Sequence, residues 1–296
     1  MTVYPHLICL VVLGTLAANI YALRFDFDNV YKASPNSRVV SNGKFNILLW
    51  SHGRSASTTL SFSAAESLGM SFRGRPETFS SARLTTDSFT KCFDTDASLF
   101  VQVKPTQPGS ESFCGTNFSE LECVQRLMRL AKKTGIDLVV VNRRQNLLET
   151  LVSAFELTHN LFRLQNFTLN ELIEHFLQLE VGFVEAKILG MPIVELDFID
   201  SAYFTCNAVN KIAAGLAKIG FSLNHTCQTH TKQVTVSSDL LHESFEKRLP
   251  PEVYKRVVAE LTGTPFEWML DSNSHTWPAS IQNPCSNIVN CLPYKG

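Results

Sequence analysis

The sequence has no excess of charge of either sign. It has 26 basic and 27 acidic residues in 296, for a net charge of −1. A chain so balanced has no global attraction for nucleic acid or an acidic polymer, so any anion it binds must be held by a local cluster. It has no internal repeat and no low-complexity tract, which sets aside solenoids and disordered linkers. No two cysteines have the Cys-x-x-Cys spacing of a zinc site. No Gly-Lys pair stands ahead of a Ser or Thr, which excludes the phosphate loop of nucleotide triphosphatases. No apolar run reaches the roughly 20 residues of a confident membrane span.

What is present begins at the N-terminus. Leu7 to Ala18 reads LICLVVLGTLAA, an uncharged stretch with the length of a signal-peptide core and with Ala18 and Ala22 after it. A basic flank ahead of it is missing. Cleavage after Ala22 and an uncleaved signal anchor reaching to about Leu23 both deliver the rest of the chain to the secretory lumen. A cytosolic chain would instead bury this segment as a strand or helix. Three sequons, at Asn117, Asn166 and Asn224, suit lumenal exposure and could accept glycans. They also occur by chance in chains of this length. Eight cysteines are present, and Cys9 lies in the targeting segment. Of the rest at least one must stay unpaired or bond another chain, and Cys285 and Cys291 could close a small loop.

Four units are expected: a signal peptide or anchor over 1–22, a polar stem over 23–44, a catalytic domain over 45–270 and an irregular tail over 271–296. Within the domain, apolar runs alternate with amphipathic stretches. Strands are predicted at Phe45–Trp50, Ser98–Val103, Ile136–Asn142 and Pro192–Phe198. Helices are predicted over Thr58–Leu68, Ser119–Lys133, Asn146–Phe155, Thr168–Leu189, Tyr203–Ile219 and Pro251–Leu261. That order predicts an α/β fold, a mostly parallel central sheet flanked by helices.

Two segments carry chemistry. The first, Ile47 to Leu60, reads ILLWSHGRSASTTL. A buried strand runs through Gly53 into a helix start rich in hydroxyls, a place where free N–H groups and the helix dipole favour an anion. Arg54 adds a forked cation, and Ser55, Ser57, Thr58 and Thr59 add donors. Gly53-Arg54-Ser55-Ala56-Ser57 also approaches the Gly-x-Ser-x-Gly elbow of serine hydrolases. That would make Ser55 a nucleophile with His225, His230, His242 or His275 as base, although an elbow normally follows several strands. A hydroxyl-rich helix start with a surface arginine is the plain structural alternative. The second segment, Leu138 to Phe155, reads LVVVNRRQNLLETLVSAF. A strand ends in Arg143-Arg144, and Asn146 and Ser153 lie two turns apart on one helix face. Alone, such an arginine pair is usually a solvated edge. Two anion-holding strand ends on one sheet would suit a ligand with two separated anionic groups.

Together the two segments resemble the sulfotransferase superfamily. Arg54 to Thr59 is similar to its 5′-phosphosulfate loop. Arg144-Gln145-Asn146-Leu147-Leu148 through Val152-Ser153 is similar to its 3′-phosphate motif, in the spelling of the carbohydrate and bacterial glycolipid branch. Weaker likenesses are Gly74-Arg75-Pro76-Glu77, Val103-Lys104-Pro105, Glu195-Leu196-Asp197-Phe198 and Lys232-Gln233. The resemblance spans about residues 45 to 250. It departs at His52-Gly53 ahead of Arg54, and at Ala56, where glycine is frequent.

The resemblance implies a P-loop-like fold, a 3′-phosphoadenosine 5′-phosphosulfate donor, no metal, and a Golgi or secreted location. Arg54, Ser55, Ser57, Thr58 and Thr59 would hold the 5′-phosphosulfate. Arg144 and Ser153 would hold the 3′-phosphate, with Arg143 as the alternative if the register differs by one. Arg54 would also stabilise the leaving phosphate, and Glu77 or His52 would serve as base. Lys104 would polarise the transferring group. The acceptor would be a glycan or glycolipid hydroxyl or amine, selected by loops 70–97 and 105–118. Neither nucleic acid nor, apart from an N-terminal anchor, a membrane is an expected partner. A catalytically inactive lumenal binding protein on the same fold is the remaining class.

Overall fold

Two strands of the computed structural model are buried from end to end and a third at all but its last residue, Arg143, which is why they read as largely apolar runs rather than alternating ones. The structure describes residues 43–53, 55–72, 84–109, 111–158, 162–221, 225, 227 and 243–279. Its strands are β1 (Asn46–Ser51), β2 (Ser71–Phe72), β3 (Leu99–Val103), β4 (Leu138–Arg143) and β5 (Ile193–Asp197). They form one all-parallel sheet in the order β2-β3-β1-β4-β5. β1 is therefore central, with Trp50 beside Val103 of β3 and Val141 of β4.

Successive β1 side chains point to opposite faces. On one face Ile47 and Leu49 join Phe45, Phe100, Val140 and Leu196. This cluster is covered by α1 (Ser57–Ser67) and α9 (Thr205–Lys218) through Leu60, Ala64, Val209 and Ile212. On the other face Trp50 reaches α7 (Leu169–Ile188) and donates its indole N–H to the Leu179 carbonyl at 3.0 Å. α7 can come this close because Gly182 has no side chain. A Cβ there would lie 2.5 Å from the Trp50 indole nitrogen. Helices therefore cover both faces, as the alternation of elements predicts.

The remaining described helices are α2 (Thr86–Cys92), α3 (Glu111–Cys114), α4 (Glu120–Thr134), α5 (Leu147–Thr158), α6 (Phe162–Gln165), α8 (Phe198–Tyr203), α10 (Phe245–Arg248) and α11 (Pro251–Leu261). Local chemistry sets several boundaries. Ser119 and Glu122 form a reciprocal capping box on α4, and Gly135 ends that helix at φ 90°. Asn146 caps α5 by accepting the Glu149 N–H at 3.1 Å. The helix expected over Tyr203–Ile219 is α9, and α8, which was not expected, fills the stretch between β5 and it. They meet at Phe204, whose φ of −126° and ψ of 49° break the helical path. β2 and α2 fall where only a loop was expected. β2 exists because β3 offers an edge to pair with, and α2 has its own Thr85–Ser88 capping box.

Gly43–Pro278 forms one compact unit. Residues 271–278, expected in the tail, thus belong to it. Two disulfides, Cys114–Cys123 and Cys206–Cys227, fit a secreted or lumenal protein. Cys92 is buried. Among the described residues no helix is long and apolar enough to cross a membrane. The N-terminal segment, Cys285 and Cys291 lie outside the described residues.

Candidate functional site

The sheet order creates a switch point. The chain leaves β1 through α1 toward the β2 edge, and leaves β4 through α5 toward the β5 edge. Where neighbouring parallel strands send their connections in opposite directions, a crevice opens beyond their carboxyl ends. β1 and β4 are hydrogen-bonded neighbours there, with Ser51 in register with Asn142. The two sequence segments singled out for anion binding are the turns that follow these two strands.

The β1 tip is built from neutral polar groups. Ser51, His52, Ser55 and Ser57 are all buried. Ser55 donates its hydroxyl to the His52 carbonyl at 2.6 Å, which folds the turn onto itself. Asn142, the polar residue near the end of β4, donates to the Ser55 carbonyl at 2.7 Å and accepts from the Ser201 hydroxyl at 3.0 Å. One side chain thus bolts the two tips together. Gln102 of β3 donates to the Ser57 hydroxyl at 2.7 Å. Ala56 sits at φ 57°, ψ 15°, the sole positive φ among described non-glycine residues. That is the conformation glycine adopts without strain, so the turn keeps a glycine-type backbone at a cost of order 1 kcal/mol.

No side chain caps the start of α1, so its first N–H groups remain available, with Thr58 and Thr59 half-buried beside them. Among the described residues the buried Ser51 hydroxyl and His52 Nε2 have no hydrogen-bond partner, and buried polar atoms in that state are uncommon. A Cβ on Gly53 would touch Cε and Nζ of Lys104 at 3.4 Å, so the Lys104 ammonium lies against this turn. Helix-start N–H groups, hydroxyls and an ammonium are thus gathered at this tip, a set of donors chemically suited to an anion. His52 is not a second cation. Burial, aided by the nearby His175, pushes its pKa down from 6.5 to about 3. The two imidazoles meet edge-on with centroids 6.4 Å apart.

The β4 tip is built from charges. Arg143 turns away, bound by Glu180 at 2.7 and 3.1 Å and by Glu195 at 2.7 Å, with Phe183 under its guanidinium at 4.4 Å. Its donors are committed to those carboxylates. Arg144 is only 3% exposed. It lies 4.2 Å over the Phe198 ring and 3.1 Å from Glu149. Ser153 is buried on α5. Glu149 is also held by Arg248, which reaches Glu156 as well.

The strap 271–278 crosses this turn. Asn146 donates to the carbonyls of Met269, Asp271 and Ser274, and Gln145 accepts the Trp277 N–H. The Trp277 ring packs on Phe176, Phe266 and Trp268, and His275 packs on Phe198.

The structure thus brings His52, Ser55, Ser57, Thr58 and Thr59 to one tip and Arg144 and Ser153 to the adjacent one. Arg54, Glu77, Lys232, Gln233, His230 and His242 lie outside the described residues. Asn117 and Asn166 are exposed, and Asn224 is not described. Ser55 is fully buried and its hydroxyl is engaged by a carbonyl, while His225 contacts Asn210 at 3.0 Å and His275 sits by Phe198. Among the described residues, neither His225 nor His275 is paired with Ser55. A separate shallow cleft of about 480 Å³ runs along β5 and α9 between Pro192, Val194, Lys211 and Lys218. It lies at the N-terminal half of β5, away from the strand tips. Comparison of the chain with family models, curated proteins and solved structures gives no match.

Sequence reasoning missed the Asn142 bolt, the Gln102 prop, the Glu149–Arg248–Glu156 cluster and the strap. A polar asparagine ending an apolar run was a readable signal for the first. Glu149 and Glu156, two turns apart on α5, were a weak signal for the third.

Proposed function

We propose that this chain is a lumenal sulfotransferase. It would move a sulfuryl group from 3′-phosphoadenosine 5′-phosphosulfate to a hydroxyl or amine, most plausibly of a glycan or glycolipid, within a P-loop-like fold. The observation that carries this reading is the adjacency of two unlike anion-suited tips, the uncapped start of α1 after β1 and the buried Arg144 after β4. They flank one switch point. A nucleotide with phosphates at both ends of its ribose matches two neighbouring tips better than any ligand with one anionic group. The short motifs at both tips, spelled as in the sulfotransferase superfamily, name the donor.

In this reading the bond between sulfur and the bridging oxygen of the 5′-phosphate breaks as the acceptor oxygen bonds to sulfur, in line. The protein's work is to position the partners and to spread the charge that gathers on the leaving phosphate. The α1 N–H groups, Thr58 and Lys104 would take up that charge, joined by Arg54, which the sequence motif alone assigns to this role. His52, neutral and with an open Nε2, is suited to accept a hydrogen bond from the incoming hydroxyl and orient it. With a pKa of about 3 it holds a transferred proton poorly, so Glu77, the acidic position of the motif, is the base in this reading. The signal segment and the two disulfides agree with a Golgi or secreted setting.

A thermal-shift titration with 3′-phosphoadenosine 5′-phosphate tests the reading. At about 100 times Kd, a ligand that binds only the folded state adds about 2.7 kcal/mol, or several degrees in melting temperature for a domain of this size. A midpoint that does not move at millimolar nucleotide would refute the assignment.

A further inference from the structure

The charges at the β4 tip are already balanced. Glu149 Oε1 lies 3.1 Å from Arg144 and 2.9 Å from Arg248, so one carboxylate oxygen is shared by two guanidinium groups. Arg248 holds Glu149 through a second bond of 2.7 Å and Glu156 through bonds of 2.7 and 2.8 Å. The Arg144, Arg248 and Glu149 side chains are almost completely buried. Two arginines and two glutamates sum to zero formal charge. Glu149 is held in place from both directions: its backbone N–H is bound by Asn146, and its carboxylate is gripped by Arg248.

We infer that Glu149 is a positioning residue that competes with the nucleotide's 3′-phosphate for Arg144, and that Arg248 sets how strongly it competes. The inference rests on the donor reading above and adds a control of affinity at the same site. An arriving phosphate meets a guanidinium that is oriented by Phe198 and Glu149 but partly neutralised by Glu149. The phosphate gains Arg144 only to the extent that Glu149 shifts its charge onto Arg248. Arg248, on a different element, thereby becomes the counter-charge that releases Arg144. The arrangement keeps a buried cation compensated when no anion is bound, as burial requires. It also weakens the grip on the bisphosphate product, which favours release.

Opposite signs distinguish this role from a merely structural one. With the full chain, Glu149→Gln should bind 3′-phosphoadenosine 5′-phosphate about tenfold more tightly, and Arg248→Met about tenfold more weakly. Adenosine 5′-phosphate, which lacks the 3′-phosphate, should bind all forms alike. Glu156→Gln, at the better-solvated rim of the cluster, frees Arg248 to hold Glu149 and should tighten the bisphosphate slightly. It provides the reading if either buried variant does not fold. Shifts of the same sign for Glu149→Gln and Arg248→Met would overturn the inference. So would equal changes for both nucleotides, or no change in Glu156→Gln when that variant alone can be measured. Those results leave the donor reading standing if the wild-type chain binds the bisphosphate. A wild-type chain that binds neither nucleotide ends both.

Discussion

The two strand tips are neighbours at one switch point, and as candidate anion sites they are built on different physics. The β1 tip relies mostly on uncharged donors, the helix-start N–H groups and hydroxyls around a strained Ala56 propped by Gln102 and Asn142, with the Lys104 ammonium against the turn. The β4 tip uses a full charge, Arg144, buried in a cluster that is neutral overall. A backbone receptor is preorganised and insensitive to pH. A charge receptor is stronger but must be compensated while empty. The difference suits a ligand whose one end reacts, and needs fixed geometry, and whose other end is only held.

The largest effect should come from removing the charge receptor. Arg144→Ala should weaken 3′-phosphoadenosine 5′-phosphate by a hundredfold or more, the order of about 3 kcal/mol for a buried charge-assisted contact. It should scarcely change adenosine 5′-phosphate. Titration calorimetry with both nucleotides measures the gap, and equal losses would mean that Arg144 is not the 3′-phosphate ligand.

The next effect concerns pH at the neutral tip. The folded pKa of His52 lies below its unfolded value of 6.5, so between about 6.5 and 3 the unfolded chain binds the extra proton. Its contribution is complete above pH 6.5 and is lost as pH falls through that window, to a total on the order of 4 kcal/mol. Chemical denaturation from pH 7 to 4 should show this slope, and His52→Gln should flatten it. An unchanged slope would mean that other groups set the acid limb.

Smaller is the bolt between the tips. Asn142→Ala strands the Ser55 carbonyl and the Ser201 hydroxyl, and should cost about 1–3 kcal/mol in denaturant unfolding. It should also blur the distinction between the tips by lowering affinity for both nucleotides. Full stability in that variant would show that the tips are held by the sheet alone. The smallest effect is at Ala56. Ala56→Gly relieves the left-handed backbone but loosens the unfolded chain, so stability should change by less than about 1 kcal/mol. A loss above 2 kcal/mol would contradict the account of that turn.

Much of this frame was legible in the sequence because the dominant signals are local. Apolar runs such as Leu138–Val141 mark parallel strands covered on both faces, and Ser119 with Glu122 and Gly135 bracket a helix without help from elsewhere. The candidate tips were legible for the same reason, since each is a strand, a turn and a helix start in one continuous segment. What escaped was long-range. β2 has two residues and depends on β3 for its existence. Arg248 reaches Glu149 across 99 positions, and Asn146 meets Ser274 across 128. No periodicity encodes such pairings. Ala56 shows the reverse case. Its side chain suggested a departure from a glycine turn, yet the backbone adopts the glycine conformation because Asn142, Gln102 and the Ser55–His52 bond fix both ends of the turn.

The most direct test of a single nucleotide spanning both tips is calorimetric titration of 3′-phosphoadenosine 5′-phosphate into the wild-type chain, Thr58→Ala and Arg144→Ala. One site per chain is expected. Arg144→Ala should erase the preference for a 3′-phosphate, whereas Thr58→Ala, which removes one hydroxyl and leaves the α1 N–H groups in place, should weaken the nucleotide while keeping that preference. Two independent sites, or a preference for the 3′-phosphate that survives in Arg144→Ala, would contradict it.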